Sequence, residues 1–148
     1  NSGVAMGTVY YISPEQASGK TTTFSSDIYS VGVMLYEMAT GKLPFEGDTP
    51  LSIAMMQVNN APARPSKINP QIPQGLEQII LRALNKAPQD RFRSAKSMLR
   101  ACDIIRKDKT VVFEETVRPA PLPEPTPAAA PAPAPAKIKK AKKLLKQQ

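Results

Sequence analysis

The run DIYSVGVMLYEMAT, residues 27–40, constrains this chain more than any other stretch. It carries two charges, Asp27 and Glu37, while Ile28, Val31, Val33, Met34, Leu35, Tyr36 and Met38 fall on almost every side of a helix. A helix with so little polar surface belongs at the centre of a domain, covered on all sides by other elements. Gly32 within it costs about 1 kcal/mol relative to alanine, which predicts close approach of another backbone. Ser25 or Ser26 is placed to cap a helix starting near Asp27, whose carboxylate suits the positive end of the dipole, and Gly41 is placed to stop it.

A central helix needs companions, and the rest of the sequence offers them. Pro14 suits the first turn of a short helix through Ala17, ended at Gly19. Thr49-Pro50 reads as N-cap and first residue of a helix carrying Leu51, Ile53, Ala54, Met55 and Val58. An amphipathic helix is expected from Leu76 to Lys86, with Ile79, Ile80, Ala83 and Leu84 on one face. Ser94 caps a last one, in which Ala95, Met98, Leu99, Cys102 and Ile105 recur at helical spacing. Residues 1–12 read as an extended loop. Residues 60–75, with Pro62, Pro65, Pro70 and Pro73, read as irregular. No run before Thr110 reads as a strand, so the expected fold class is mainly α.

After Lys109 the composition changes. The expected organisation is a domain over 1–109, a Pro/Ala-rich linker over 110–136 and a basic tail over 137–148. The linker includes PAPLPEPTPAAAPAPAPA, which suits an extended, polyproline-like spacer. The tail, KIKKAKKLLKQQ, carries six lysines and no acid, against a net charge of +8 for the whole chain. The other 136 residues hold 14 Lys and Arg against 12 Asp and Glu, so the domain has no basic footprint for nucleic acid. The tail has no aromatic to stack on bases, which also argues against nucleic acid. Ile138, Leu144 and Leu145 among Lys137–Lys146 suit an amphipathic segment on an anionic membrane surface. One cysteine, Cys102, and no histidine exclude a disulfide framework and a Cys/His zinc cluster within the chain, and fit a reducing, cytoplasmic compartment. No apolar run approaches the ~18 residues of a membrane span, and no signal-peptide pattern opens the sequence.

Four motifs follow one another along these elements. They are G-T-x-x-Y-x-S-P-E from Gly7 to Glu15, S-D-I-Y-S-x-G from Ser26 to Gly32, T-G-x-x-P-F from Thr40 to Phe45, and P-x-x-R-F from Pro88 to Phe92. In this order they resemble the C-terminal lobe of bacterial eukaryotic-like Ser/Thr protein kinases, and most of all the receptor kinases that carry PASTA repeats. The resemblance covers residues 1 to about 107. Ser13-Pro14-Glu15 resembles the A-P-E motif with Ser for Ala.

The resemblance implies a role for each matched residue. Glu15 and Arg91 are expected to form the ion pair buried beneath the activation segment, a carboxylate gripped by a guanidinium through two parallel hydrogen bonds. Asp27 is expected to accept backbone hydrogen bonds from the catalytic loop. Thr8 resembles the P+1-loop threonine that reaches toward the catalytic Asp and Lys, and Gly7-Thr8 implies Ser/Thr rather than Tyr specificity. Met6, Tyr10 and Tyr11 are candidates to line the pocket for the residue after the acceptor. Ser2 is a candidate activation-segment phosphosite, where a phosphate would order the loop against arginines.

The resemblance also marks what is not in this sequence. The Gly-rich loop, the strand Lys with its helix Glu, H-R-D with its Asn, and D-F-G are missing. The sequence therefore reads as opening inside the activation segment, with no catalytic, ATP-binding or metal-binding residue of its own. ATP and Mg²⁺ are implied for a longer parent, not for this piece. The implied partners are protein substrates and the remainder of the kinase domain. The implied location is cytoplasmic, on the cytoplasmic side of a membrane protein in the parent. The alternative is a non-catalytic, kinase-like scaffold that binds partners through the helix at residues 49–59. Thr8, Asp27, Glu15 and Arg91 together favour the kinase, because a scaffold has less need of Thr8. Alone, the piece is expected to expose apolar faces and to be unstable.

Overall fold

The computed structural model describes residues 8–114. Ser2, Met6 and Gly7, the Pro/Ala-rich segment and Lys137–Lys146 lie outside the described residues. In chain order the helices are α1 (Pro14–Ala17), α2 (Phe24–Thr40), α3 (Pro50–Asn59), α4 (Pro65–Ile68), α5 (Gln74–Ala83), a 3-10 turn (Pro88–Asp90) and α6 (Ala95–Lys107). No strand occurs among the described residues.

Helix α2 begins at Phe24, three residues ahead of Asp27, because its cap is Thr23 rather than Ser25 or Ser26. Thr23 Oγ1 accepts from the Ser25 amide at 3.2 Å, and Ser26 Oγ accepts from the Thr23 amide at 3.4 Å. That reciprocal box draws both serines into the first turn, where they are buried. The helix ends as expected at Gly41, which takes φ +72° and donates its N–H to the Glu37 carbonyl at 2.7 Å.

Helix α2 packs most extensively against α5. A Cβ added at Gly32 would lie 2.7 Å from Ala83 Cβ, so the two helices meet there almost backbone to backbone. Ile28 joins one core cluster with Ile79, Ala83, Phe92, Met98, Ala101 and Ile105. Tyr29, Val33 and Tyr36 join a second with Ile80 and Leu84. The expectation that α2 is covered all round is not met. Val31, Met34 and Met38 are 42%, 50% and 72% exposed, and Phe24 is 59% exposed. The elements described here cover one side of the helix and leave an apolar face on the other.

Three further boundaries differ from the sequence reading. Residues 65–68 form a single helical turn, because Pro65 can open a helix where it could not continue one. Helix α5 runs from Gln74 rather than Leu76 and stops at Ala83, short of Lys86. The carbonyls of Asn85 and Lys86 leave the helical pattern and accept instead from Arg91. Residues 8–11 are not extended: the Tyr11 amide donates to the Thr8 carbonyl at 3.2 Å and closes a turn.

Helix α6 is capped at Ser94 as expected, with Ser94 Oγ accepting from the Ser97 amide at 3.1 Å. Its buried stripe is Met98, Ala101 and Ile105, and Leu99 faces outward at 61% exposure. Packing continues past the change of composition after Lys109. Val111 and Phe113 rest on the first core cluster. The Phe113 N–H donates to Gln78 Oε1 at 2.8 Å, and Gln78 Nε2 donates to the Phe113 carbonyl at 2.9 Å. Among the described residues no helix is long and apolar enough to cross a membrane.

Candidate functional site

The site is built from a turn, a one-turn helix and a single buried arginine. Ser13 caps α1, accepting from the Gln16 amide at 3.3 Å while its own N–H donates to Gln16 Oε1 at 2.9 Å. With Pro14 at the first helical position, Glu15 is held in the first turn, 7% exposed. Arg91 follows the 3-10 turn and is 1% exposed. Its Nη1 donates to Glu15 Oε1 at 2.7 Å and its Nη2 to Glu15 Oε2 at 2.8 Å. The remaining donors reach the carbonyls of Ser25 (2.8 Å), Lys86 (3.0 Å) and Asn85 (2.7 Å). All five guanidinium N–H groups are thus used.

Ser26 Oγ donates to Glu15 Oε1 at 2.8 Å. Burial acts to raise the Glu15 carboxyl, but Arg91, the Glu15 backbone N–H and Ser26 outweigh it and bring it down to about 2. One ion pair therefore joins α1, the start of α2, the segment after α5 and the 3-10 turn.

The turn at 8–11 sits directly before this anchor. Thr8 is exposed and Val9 is buried. The Tyr10 carbonyl accepts from Gln57 Nε2 at 2.8 Å, and the Tyr11 carbonyl from Ser30 Oγ at 2.7 Å. The Tyr11 hydroxyl donates to Glu37 Oε2 at 2.6 Å, and that bond, with burial and the Glu37 charge, raises its pKa. Tyr11, Glu37, Met34 and Met38 line a shallow, open groove.

Behind the turn lies Tyr29, fully buried, its hydroxyl donating to Gln57 Oε1. The Arg91 guanidinium lies 5.0 Å from the Tyr29 ring centroid. Lys86 Nζ lies 4.5 Å from the Phe45 ring centroid and 5.7 Å from that of Tyr29, and donates to the Gln57 carbonyl at 2.8 Å. Burial, with the Arg91 charge, brings Lys86 down to about 8.

Of the residues singled out in the sequence, the structure joins Glu15 to Arg91 and places Thr8, Tyr10 and Tyr11 on one turn ahead of them. Asp27 lies in the first turn of α2 and is exposed, beside the buried Ser25 and Ser26. Ser2, Met6 and Gly7 are not among the described residues. Sequence reasoning missed Gln57 and Lys86, and it quoted Ser26, Tyr29 and Ser30 within a motif without assigning them the contacts by which they hold the turn or its anchor. It also missed Glu77, a buried carboxylate that accepts from Arg64 Nε at 2.9 Å and the Ser66 amide at 2.7 Å. The available signal was a polar residue four positions from Ile53 on the inward face of α3, at Gln57. Chemically, the arrangement presents an exposed hydroxyl and two tyrosines on a turn whose backbone is tied to a buried ion pair.

Comparison with known proteins matches residues 2–102 to the protein kinase domain family. The chain is 45% identical over 100 residues to the serine/threonine-protein kinase PksC of Streptomyces coelicolor, covering 68% of this chain and 18% of that protein. It is 42% identical over 93 residues to PrkC of Bacillus subtilis, covering 63% and 14%. It is 42% identical over 101 residues to PknB of Mycolicibacterium smegmatis, covering 68% and 16%. The chain thus spans less than a fifth of the length of these relatives. The family match, the helical fold and the relatives together establish that this chain belongs to the protein kinase family, among its bacterial eukaryotic-like serine/threonine members.

Proposed function

We propose that this chain is the substrate-facing part of the C-terminal lobe of a Ser/Thr protein kinase. Its parent transfers the γ-phosphoryl group of ATP to Ser and Thr hydroxyls of proteins. The observation that carries this reading is the doubly hydrogen-bonded Glu15–Arg91 pair directly behind the 8–11 turn. A phosphoryl-transfer site works by positioning, so the turn that receives the acceptor must be rigid. Thr8 is proposed to face the reacting centre, Met6, Tyr10 and Tyr11 to line the pocket for the residue after the acceptor, and Asp27 to hold the catalytic loop. That loop, the ATP phosphates and Mg²⁺ are supplied and held by the upstream half of the parent, so this chain alone neither binds ATP nor transfers phosphate.

The exposed face of Phe24, Val31, Met34 and Met38 supports a further element packing on α2, and the remainder of the kinase domain is the proposed occupant. Ser2 is the proposed activation-segment phosphosite. The Lys137–Lys146 tail is proposed to hold the domain at an anionic membrane surface on the cytoplasmic side.

The test is to sequence the DNA upstream of Asn1 in frame and to titrate ATP calorimetrically into this chain and its parent. The expected result is an upstream Gly-rich loop, strand Lys, H-R-D and D-F-G, with ATP bound by the parent and not by this chain. Degenerate upstream motifs and a parent that binds no ATP would rule out catalysis. They would favour a scaffold reading instead, for which the exposed Leu51 and Met55 on α3 offer a docking face.

A further inference from the structure

Gln57 is a fully buried amide on a helix face where a leucine or methionine would pack. Helix α3 turns Ile53 and Gln57, four residues apart, into the interior. Burying an amide there costs free energy unless its donors and acceptors are used. Gln57 Oε1 accepts from the Tyr29 hydroxyl, and Nε2 donates to the Tyr10 carbonyl at 2.8 Å, across 47 residues of sequence. The end of α3 is itself fixed, because Lys86 Nζ donates to the Gln57 carbonyl at 2.8 Å. At the next peptide of the turn, Ser30 Oγ donates to the Tyr11 carbonyl at 2.7 Å. Two successive peptide planes are thus each held by a side chain from a different helix. That fixes the backbone at Tyr11, between the two planes, and the Tyr11 N–H in turn donates to the Thr8 carbonyl at 3.2 Å and closes the turn.

We propose that Gln57 is a positioning residue for protein substrate. By holding the Tyr10 carbonyl it keeps the exposed side of the 8–11 turn in a preformed geometry, with Ser30 as the second pin. The inference rests on the reading above that this turn faces the substrate. A preformed turn does not have to be ordered when the substrate docks, so losing the pin weakens substrate capture and leaves nucleotide binding unchanged.

The test uses the full-length parent carrying Gln57→Met, which keeps the length of the side chain and removes both the donor to Tyr10 and the acceptor for Tyr29, alongside Ser30→Ala and Tyr29→Phe. The loss of one such hydrogen bond is expected to raise KM for a peptide substrate roughly three- to tenfold, with KM for ATP unchanged. Amides of residues 9–12 are expected to exchange faster, while those of α2 and α5 keep their rates. Unchanged peptide KM in folded Gln57→Met, or unchanged exchange at 9–12, would overturn the proposal. So would a parallel rise in both KM values, which a general loosening of the fold would give. If Gln57→Met fails to fold, Tyr29→Phe, at the far end of the Gln57 pin, and Ser30→Ala, at the second pin, carry the same two readouts. A wild-type parent without phosphoryl transfer would remove the kinase reading, and the exchange rates would still decide whether Gln57 holds the turn.

Discussion

At Arg91, five N–H donors meet five acceptors, two of them the oxygens of one buried carboxylate. Arg91→Ala would leave Glu15 buried without its counter-charge and three carbonyls without donors. The expected cost is about 3–5 kcal/mol, read by chemical denaturation, and Arg91→Lys should recover little because an ammonium cannot span both carboxylate oxygens. The pair also fixes an acid response. The Glu15 carboxyl is held at about 2 in the fold against a starting value of 4.5, so its stabilisation is complete above pH 4.5 and disappears as pH falls from 4.5 toward 2. The difference corresponds to about 3 kcal/mol. Glu77 is also lowered and acts in the same direction. Melting temperature is therefore expected to drop across that window, and Glu15→Gln to be less stable at neutral pH with a shallower drop. An equally steep drop in Glu15→Gln would show that other carboxylates control the acid limb. Glu15 and Arg91 were legible in the sequence because each sits in a motif whose neighbours fix its role. Gln57 and Lys86 were not. A glutamine on an amphipathic helix reads as surface, and the groups that bury it come from Tyr10 and Tyr29, 47 and 28 residues away.

Among the elements, what the sequence conveyed best was the places where helices start and stop by local chemistry. Thr49-Pro50, Ser94 and Gly41 act as expected because a cap needs only its own next few residues. The misplaced boundaries are those decided by distant partners. Helix α5 ends early where Arg91 takes two carbonyls, and Pro65 opens a turn inside a segment that looked irregular. Close approach at Gly32 was foreseen, and the structure supplies Ala83 as the neighbour. Gly32→Ala should force α2 and α5 apart at a point where neither backbone can yield cheaply, lowering stability by about 1–3 kcal/mol in a denaturation measurement. Gly75 poses the same constraint at the other end of α5. An added Cβ would meet the Ile105 side chain and lie 2.5 Å from the Val111 carbonyl oxygen. Gly75→Ala is expected to release residues 110–114, seen as faster amide exchange there, and unchanged exchange would mean that the Gln78–Phe113 bonds suffice.

For the whole molecule, the one-sided cover on α2 is the main departure from the sequence reading. Composition made this helix central, and composition could not say which of its faces lies against residues of this chain. Phe24, Val31, Met34 and Met38 are the faces left over. Met34→Lys with Met38→Lys should make this chain more soluble and should weaken the parent's fold, a combination that separates a surface awaiting its neighbour from an ordinary exposed patch. Improved solubility with no loss in the parent would argue that nothing packs there. The proposed role of the 8–11 turn and its Glu15–Arg91 anchor is to serve phosphoryl transfer to Ser or Thr by the parent. Its most direct test is to incubate the full-length parent with ATP, Mg²⁺ and a protein acceptor and to identify the phosphorylated residues by mass spectrometry. Phosphoserine and phosphothreonine are expected, largely lost in Thr8→Ala and in Arg91→Ala. Phosphotyrosine, or no transfer from a folded parent with its upstream motifs intact, would contradict it.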